Sequence, residues 1–201
     1  MNVAAELTKG ERRRAEIIEI ARSVLIEDGY DCFVLRDVAD RAGIKLGNLQ
    51  YYFATREDLI EAVAKAESQR GLSMIREIDR GVATPAEKLT RLVHAIVDQW
   101  QREGGKIFIV VSLLAVHSPR FRRLHVDNYD AFYQAVCDVL AELEPDEPRA
   151  ALMRKARLAT SLLDGALFQV PLERGRGSKK MMREFLDELA DAMLRLVGHQ
   201  P

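Results

Sequence analysis

Val38-Ala39-Asp40-Arg41-Ala42-Gly43-Ile44-Lys45-Leu46-Gly47-Asn48-Leu49-Gln50-Tyr51-Tyr52-Phe53 spells two short helices joined by a glycine turn. Ala39 is small where the two helices must approach closely. Gly43 stands where the turn calls for a backbone conformation that a side chain disfavours. Val38, Ala42, Ile44, Leu49 and Phe53 are spaced to hold the helices at one angle. A fixed angle lets the second helix enter a DNA groove as a reader. The pattern is that of a helix-turn-helix.

With Leu49 and Phe53 inward, Gly47 and Tyr51 point away from the core, flanked by Asn48 and Gln50. Asn and Gln can each make two bonds to an adenine edge, worth about 1–3 kcal/mol of discrimination. Gly47 inside a helix costs about 1 kcal/mol relative to Ala, which makes sense if a side chain would hold the helix off the groove. A loose first turn is the plainer reading of Gly47. Lys45 sits where the helix dipole disfavours a cation, a placement that suits an external anion; a merely solvated lysine is the alternative. Tyr51 and Tyr52 either donate hydroxyls to phosphates or pack. Arg56, opening the next helix, and Arg36, on the one before, are expected on the DNA backbone. Leu46 either touches a thymine methyl or extends the core. Arg12-Arg13-Arg14 either steers DNA or is only solvated.

Together with its flanks this stretch resembles the N-terminal domain of TetR-family transcriptional regulators. The resemblance covers roughly residues 10 to 65, through Asp28-Gly29-Tyr30, Arg36-Asp37-Val38-Ala39, Ala42-Gly43-Ile44, Gly47 to Phe53, and Thr55-Arg56-Glu57-Asp58-Leu59. Three positions depart from the family pattern. Val34 replaces a common capping Thr or Ser, Lys45-Leu46 replaces a frequent Ser-Lys, and Asn48 and Gln50 stand where Thr and Tyr are frequent. The last two departures prevent an operator sequence from being carried over from a relative. The resemblance implies an all-α fold with a three-helix helix-turn-helix DNA-binding domain over residues 1–55. A helical ligand-binding and dimerisation domain would follow over residues 56–201. It also implies a double-stranded DNA operator, a homodimer and a small-molecule effector.

The bulk numbers agree with that reading. A chain of 201 residues, 48% hydrophobic and 30% charged, can build a substantial core. A net charge of -1 argues against coating nucleic acid indiscriminately, whereas a specific reader needs only local cations. Cys32 and Cys137 lie far apart without metal-ligand neighbours and read as structural thiols of a reducing compartment. The first fifteen residues carry Glu6, Glu11 and three arginines where a secretory signal would be apolar. The longest apolar stretch, Ile107 to Val116 broken by Ser112, is about half a membrane span and is expected to be buried on all sides. A cytoplasmic location without membrane attachment follows.

Beyond the helix-turn-helix, apolar residues recur at helical spacing almost throughout. Thr55 and Asp58 form a capping pair for a fourth helix to about Arg80, expected to loosen near Gly71. A fifth runs from Thr84-Pro85 to Trp100, ended by Gly104-Gly105. A helix follows Ser118-Pro119, and the last two span roughly Arg149 to Val170 and Lys179 to Val197. On the penultimate helix Leu152, Ala156, Ala159, Leu163, Ala166 and Val170 make one stripe, and Leu158, Leu162 and Gly165 make a second. One stripe can serve the chain's own core. The second, with Phe185, Leu189 and Met193 of the final helix, is expected in a four-helix dimer interface.

No catalytic motif emerges, and His94, His117, His125 and His199 lack zinc-site spacing, so no enzyme activity, cofactor or metal is expected. Trp100, Phe108, Phe121, Tyr129, Phe132, Tyr133 and Phe168, in the region that resembles the family's ligand-binding domain, either form core or surround an apolar ligand, with His94, His117 and Gln169 as polar contacts. The expected function is a DNA-binding repressor released from its operator by a small apolar molecule. The alternative is a DNA-binding regulator without an inducer, controlled by a protein partner or by its abundance.

Overall fold

The structure, a computed structural model, describes residues 8–79, 84–100, 104–169 and 179–196. Among them the chain is helical and forms no strand. The helices are α1 (Lys9–Glu27), α2 (Leu35–Arg41), α3 (Leu46–Tyr52), α4 (Arg56–Asp79), α5 (Pro85–Gln99), α6 (Gly105–His117), α7 (Pro119–Leu143), α8 (Arg149–Gln169) and α9 (Lys179–Leu196).

Local chemistry explains the boundaries. Thr8 and Glu11 close a capping box on α1, with the Thr8 amide bonded to Glu11 Oε2 at 2.8 Å. Gly29, just past α1, and Gly43, between α2 and α3, take φ of 82° and 64°. In this left-handed region a side chain is strained, so glycine ends α1 and makes the reading turn. Val34 gives α2 no side-chain cap, as its apolar side chain dictates. Thr55 and Asp58 bond reciprocally at 2.9 and 3.1 Å and start α4 as the sequence leads one to expect. Thr84 caps α5 with Pro85 in its first turn.

Two compact units result: residues 1–67 with 106–124, and residues 68–105 with 125–201. The first takes in the start of α4, all of α6 after Gly105, and α7 as far as Leu124. Its core joins Ile17, Val24, Leu25, Phe33, Val38, Leu49 and Phe53 with Leu59 and Val63 of α4. Ile107, Val111, Ala115, Phe121 and Leu124 complete the same core. The second unit's core joins Leu89, Val93 and Val97 of α5, Val136 and Leu140 of α7, Ala156 and Leu163 of α8, and Ala190 and Met193 of α9.

Three expectations need correction. α4 runs unbroken through Gly71, because a single interior glycine costs only about 1 kcal/mol and the flanking residues are good helix formers. α6 is not buried on all sides: Ile109, Leu113 and Val116 are exposed along one face. The core needs only its other face, Ile107, Val111 and Ala115. Gly105 does not end α5 but opens α6, and a Cβ there would lie 2.6 Å from the Trp100 ring. That close approach is why glycine occupies the position.

Candidate DNA-reading surface and effector region

α1 supplies the platform for the reading helix. Ile17, Ile18, Ala21, Val24 and Leu25 form its buried face, and α1 packs on α2 and α2 on α3. Two of the three early arginines serve this platform. Arg13 donates from Nη2 to the Ala42 carbonyl at 2.9 Å, satisfying an acceptor at the end of α2. The Arg14 guanidinium lies 4.8 Å above the Phe53 ring. Arg41 pairs with Glu27 and Asp28 at the end of α1.

α3 buries Leu49, and Phe53 after it, which turns its other side outward. Lys45, Gly47, Asn48, Gln50 and Tyr51 are all exposed, Tyr51 at 85%. Tyr52 is half-buried against the core, with its ring edge-on to Tyr51 at 5.3 Å. Arg36 is exposed on α2, and neither it nor Lys45 has an ion-pair partner among the described residues. The residues expected on the reading face, two amides, a tyrosine and a cation around a glycine, are thus all exposed.

Arg56 is a correction. It donates from Nε to the Phe33 carbonyl at 2.7 Å and from Nη2 to the Tyr30 carbonyl, and it stacks 4.1 Å over the Tyr30 ring. Its guanidinium ties the α1–α2 loop to α4, because those carbonyls have no helix partner, rather than reaching outward for phosphate. Sequence reasoning had no signal for the clamps from later in the chain. Arg120, in the first turn of α7, bonds Glu61 at 2.5 Å and Asp58 at 2.7 Å. Lys106 donates to the Ile26 carbonyl at 2.6 Å, supplying the cation that the last turn of α1 lacks. Such pairs lie far apart in sequence and follow no local period.

The residues expected around an effector divide between the units. Phe108, His117 and Phe121 belong to the first and His94, Trp100, Phe132 and Phe168 to the second. Phe121, 2% exposed, is core of the first unit. His94 bonds Asp187 across α5 and α9 at 2.8 Å, so its ring nitrogen is already engaged. Trp100 and Phe168 do meet, edge to face at 6.2 Å, and Phe132 packs on the same core. The Gln169 side chain lies outside the described residues.

On α8 the two stripes separate as expected. Leu152, Ala156, Ala159, Leu163 and Ala166 are buried, whereas Leu158 and Leu162 are 56% and 42% exposed and Gly165 is half-buried beside them. Val170 lies outside the described residues. On α9, Phe185 is exposed and Leu189 sits at the core's edge. Met193 is a correction: at 2% exposure it fills the unit's own core, because the helix turns it to the side of Leu186 and Ala190. The open face carries Met181, Phe185 and Leu196 instead.

Comparison with known proteins agrees with this architecture. The family described as "Bacterial regulatory proteins, tetR family" matches residues 17–63. The family "BetI-type transcriptional repressor, C-terminal" matches residues 85–195. The HTH-type transcriptional regulator BetI of Paraburkholderia xenovorans is 31% identical over 160 residues, 77% of this chain and 80% of its own. A transcriptional regulator from Rhodococcus sp. Rha1 superposes with a TM-score of 0.76 at 18% identity, over 90% of this chain and 96% of its own. A regulator from Saccharomonospora viridis in complex with choline superposes with a TM-score of 0.74 at 21% identity, over 94% and 97%. No helix among the described residues is long and apolar enough to cross a membrane. The chain belongs to the TetR family of transcriptional regulators and is a helix-turn-helix, DNA-binding repressor with a BetI-type C-terminal region.

Proposed function

We propose that this repressor reads its operator as a homodimer and is released by a small molecule held in the helical C-terminal unit. The observation that carries the reading half is the exposed face of α3. Asn48 and Gln50 stand beside an unobstructed Gly47, with Lys45 and Tyr51 at either end. Asn48 and Gln50 read base edges, whereas Lys45, Tyr51, Tyr52 and Arg36 hold phosphates and fix the register. Dimerisation is supported by the apolar face of Leu158, Leu162, Phe185 and Leu196, each at least 36% exposed among the described residues. Two heads on one face of DNA need half-sites about 34–36 Å apart, or a multiple of a turn. A ligand lowers operator affinity only by binding better to a conformation whose heads no longer fit that spacing. The choline bound by the regulator from Saccharomonospora viridis supports a small-molecule effector for this fold.

The test is selection of bound fragments from random DNA, followed by binding of the selected site by N48A and Q50A. Each amide variant relaxes preference at particular base pairs, by about 1–3 kcal/mol per lost bidentate contact. An unchanged preference in both removes them from base readout. Repeating the selection with candidate metabolites identifies those that release the DNA.

A further inference from the structure

The helix that reads DNA carries no group that prefers guanine. α3 contains neither Lys nor Arg, and arginine is the commonest specific partner of guanine O6 and N7. Four arginines of the same unit are engaged by the protein itself. Arg13 donates to the Ala42 carbonyl, Arg14 lies over the Phe53 ring, Arg41 pairs with Glu27 and Asp28, and Arg56 donates to the Phe33 and Tyr30 carbonyls. The cations near the head that stay exposed stand outside the helix: Lys9 and Arg12 on α1, Arg36 on α2, and Lys45 as the N-cap of α3.

What α3 does present is a pair of unengaged amides. Asn48 and Gln50 are exposed, and among the described residues neither side chain makes a hydrogen bond. Each amide sets a donor beside an acceptor, the complement of adenine N7 and N6–H. Guanine turns two acceptors to the major groove, so an amide satisfies one and holds its own oxygen against the other. The Thr and Tyr frequent in the family at these two positions carry a single hydroxyl, which makes no such two-point fit. Gly47 and Tyr51 lie opposite the buried Leu49, with an amide on either side of them. A Cβ at Gly47 would meet nothing within 4 Å, so the bare backbone can come close enough for the short Asn48 to touch a base edge. Two residues advance about 3 Å along a helix, close to the base step of about 3.4 Å, so the two contacts fall on neighbouring base pairs.

We propose that Asn48 and Gln50 are each a two-point reader of adenine, through its N6 and N7 atoms, and that every operator half-site carries A·T pairs on the two steps they reach. The proposal rests on the base-reading role given to these amides above and adds which base they select and by which atoms.

The experiment uses the full-length protein and the operator selected from random DNA. 7-Deazaadenine, placed at one adenine at a time, replaces N7 by carbon and still pairs with thymine. At two neighbouring steps it weakens binding of the native protein about fivefold or more, the lower end of what one two-point contact discriminates. N48A abolishes the penalty at one step and keeps it at the other, and Q50A does the reverse. Q50R supplies a gain: it comes to prefer G·C at the step Gln50 reads, because an arginine fork fits guanine. Unchanged melting of the three variants shows that the effects are local. G·C pairs selected at both steps, no loss with 7-deazaadenine, penalties that persist in N48A and Q50A, or a Q50R that keeps the A·T preference overturn the assignment. The alanine variants show which reading has failed. Preference relaxed at G·C steps removes adenine and leaves base reading by the amides, whereas preference unchanged in both removes the two together.

Discussion

Gly47 separates recognition from stability within a single residue. A Cβ there meets nothing within 4 Å, and the position is exposed inside α3. Alanine should therefore stabilise the helix by about 0.5–1 kcal/mol, since it removes the backbone entropy that glycine loses on folding. On the DNA side the added methyl occupies the face expected to approach the groove. G47A is expected to melt higher than the native protein and yet bind the selected operator more weakly. Thermal denaturation and a gel shift on the same preparation check both signs. A variant that melts higher and binds equally well would assign Gly47 to looseness of the first turn alone. Arg56 teaches the opposite lesson at this scale. Its sequence position, at the start of a helix beside a reader, matches that of a phosphate clamp, but its donors go to the Tyr30 and Phe33 carbonyls. A residue's type and its place in a motif restrict its role; the nearest unsatisfied acceptors decide it.

At the scale of elements, the capping pair of α4 is doubly used. Asp58 accepts from Thr55 and also pairs with Arg120 of α7, and Arg120 also reaches Glu61 one turn further on. The Thr55 hydroxyl first and then Arg120 hold Asp58 below its usual pKa; Lys65 first and then Arg120 do so for Glu61. Both carboxyls have folded pKa values depressed below the unfolded ones, so their contribution is present at neutral pH. It is lost as the pH falls through the folded values, below the usual carboxylate range. R120Q should lower stability at neutral pH by about 1 kcal/mol or less, because Arg120 is 40% exposed and water screens the pairs. The gap between native and variant melting temperatures should shrink as the carboxylates protonate. A gap that stays constant down to strongly acidic pH would mean that Arg120 acts by packing alone. Asp164, which accepts from the Tyr129 hydroxyl at 2.7 Å, runs the other way, since burial raises its pKa and its charge opposes folding above that value. D164N is expected to be at least as stable as the native chain at neutral pH, with any advantage vanishing on acidification through the window between its unfolded and folded pKa.

For the whole molecule, the apolar face of α8 and α9 that stays exposed among the described residues is the feature that calls for a partner. Leu158, Leu162, Met181 and Phe185 each leave more than a third of their surface in water, on two helices that pack side by side. Contiguous apolar exposure of this kind marks an association surface. L162E places an unpaired charge in the centre of the proposed interface and should shift the protein from dimer to monomer in light scattering, with a weakened operator complex because two heads no longer bind together. M193E is the useful contrast: Met193 is core, so its charge should unfold the second unit rather than yield a folded monomer. A folded, dimeric L162E would place the interface elsewhere.

How much of this was legible beforehand differs by kind of contact. The helix-turn-helix, the capping pair at Thr55 and Asp58, the glycine turn at Gly43 and the two stripes of α8 were determined by the sequence alone. Each depends on residues a few positions apart, where helical period and turn chemistry act locally. The face of α6, the core position of Phe121 and Met193, the division of the chain into units and the pairing of Arg120, Lys106 and Asp164 were decided only by tertiary structure. An apolar run shows that burial is wanted without showing on how many sides, and a charge shows no partner until a distant helix brings one. Local order is written in the spacing of residues; the partners of long side chains are set by which helices pack together, and that depends on the entire core at once.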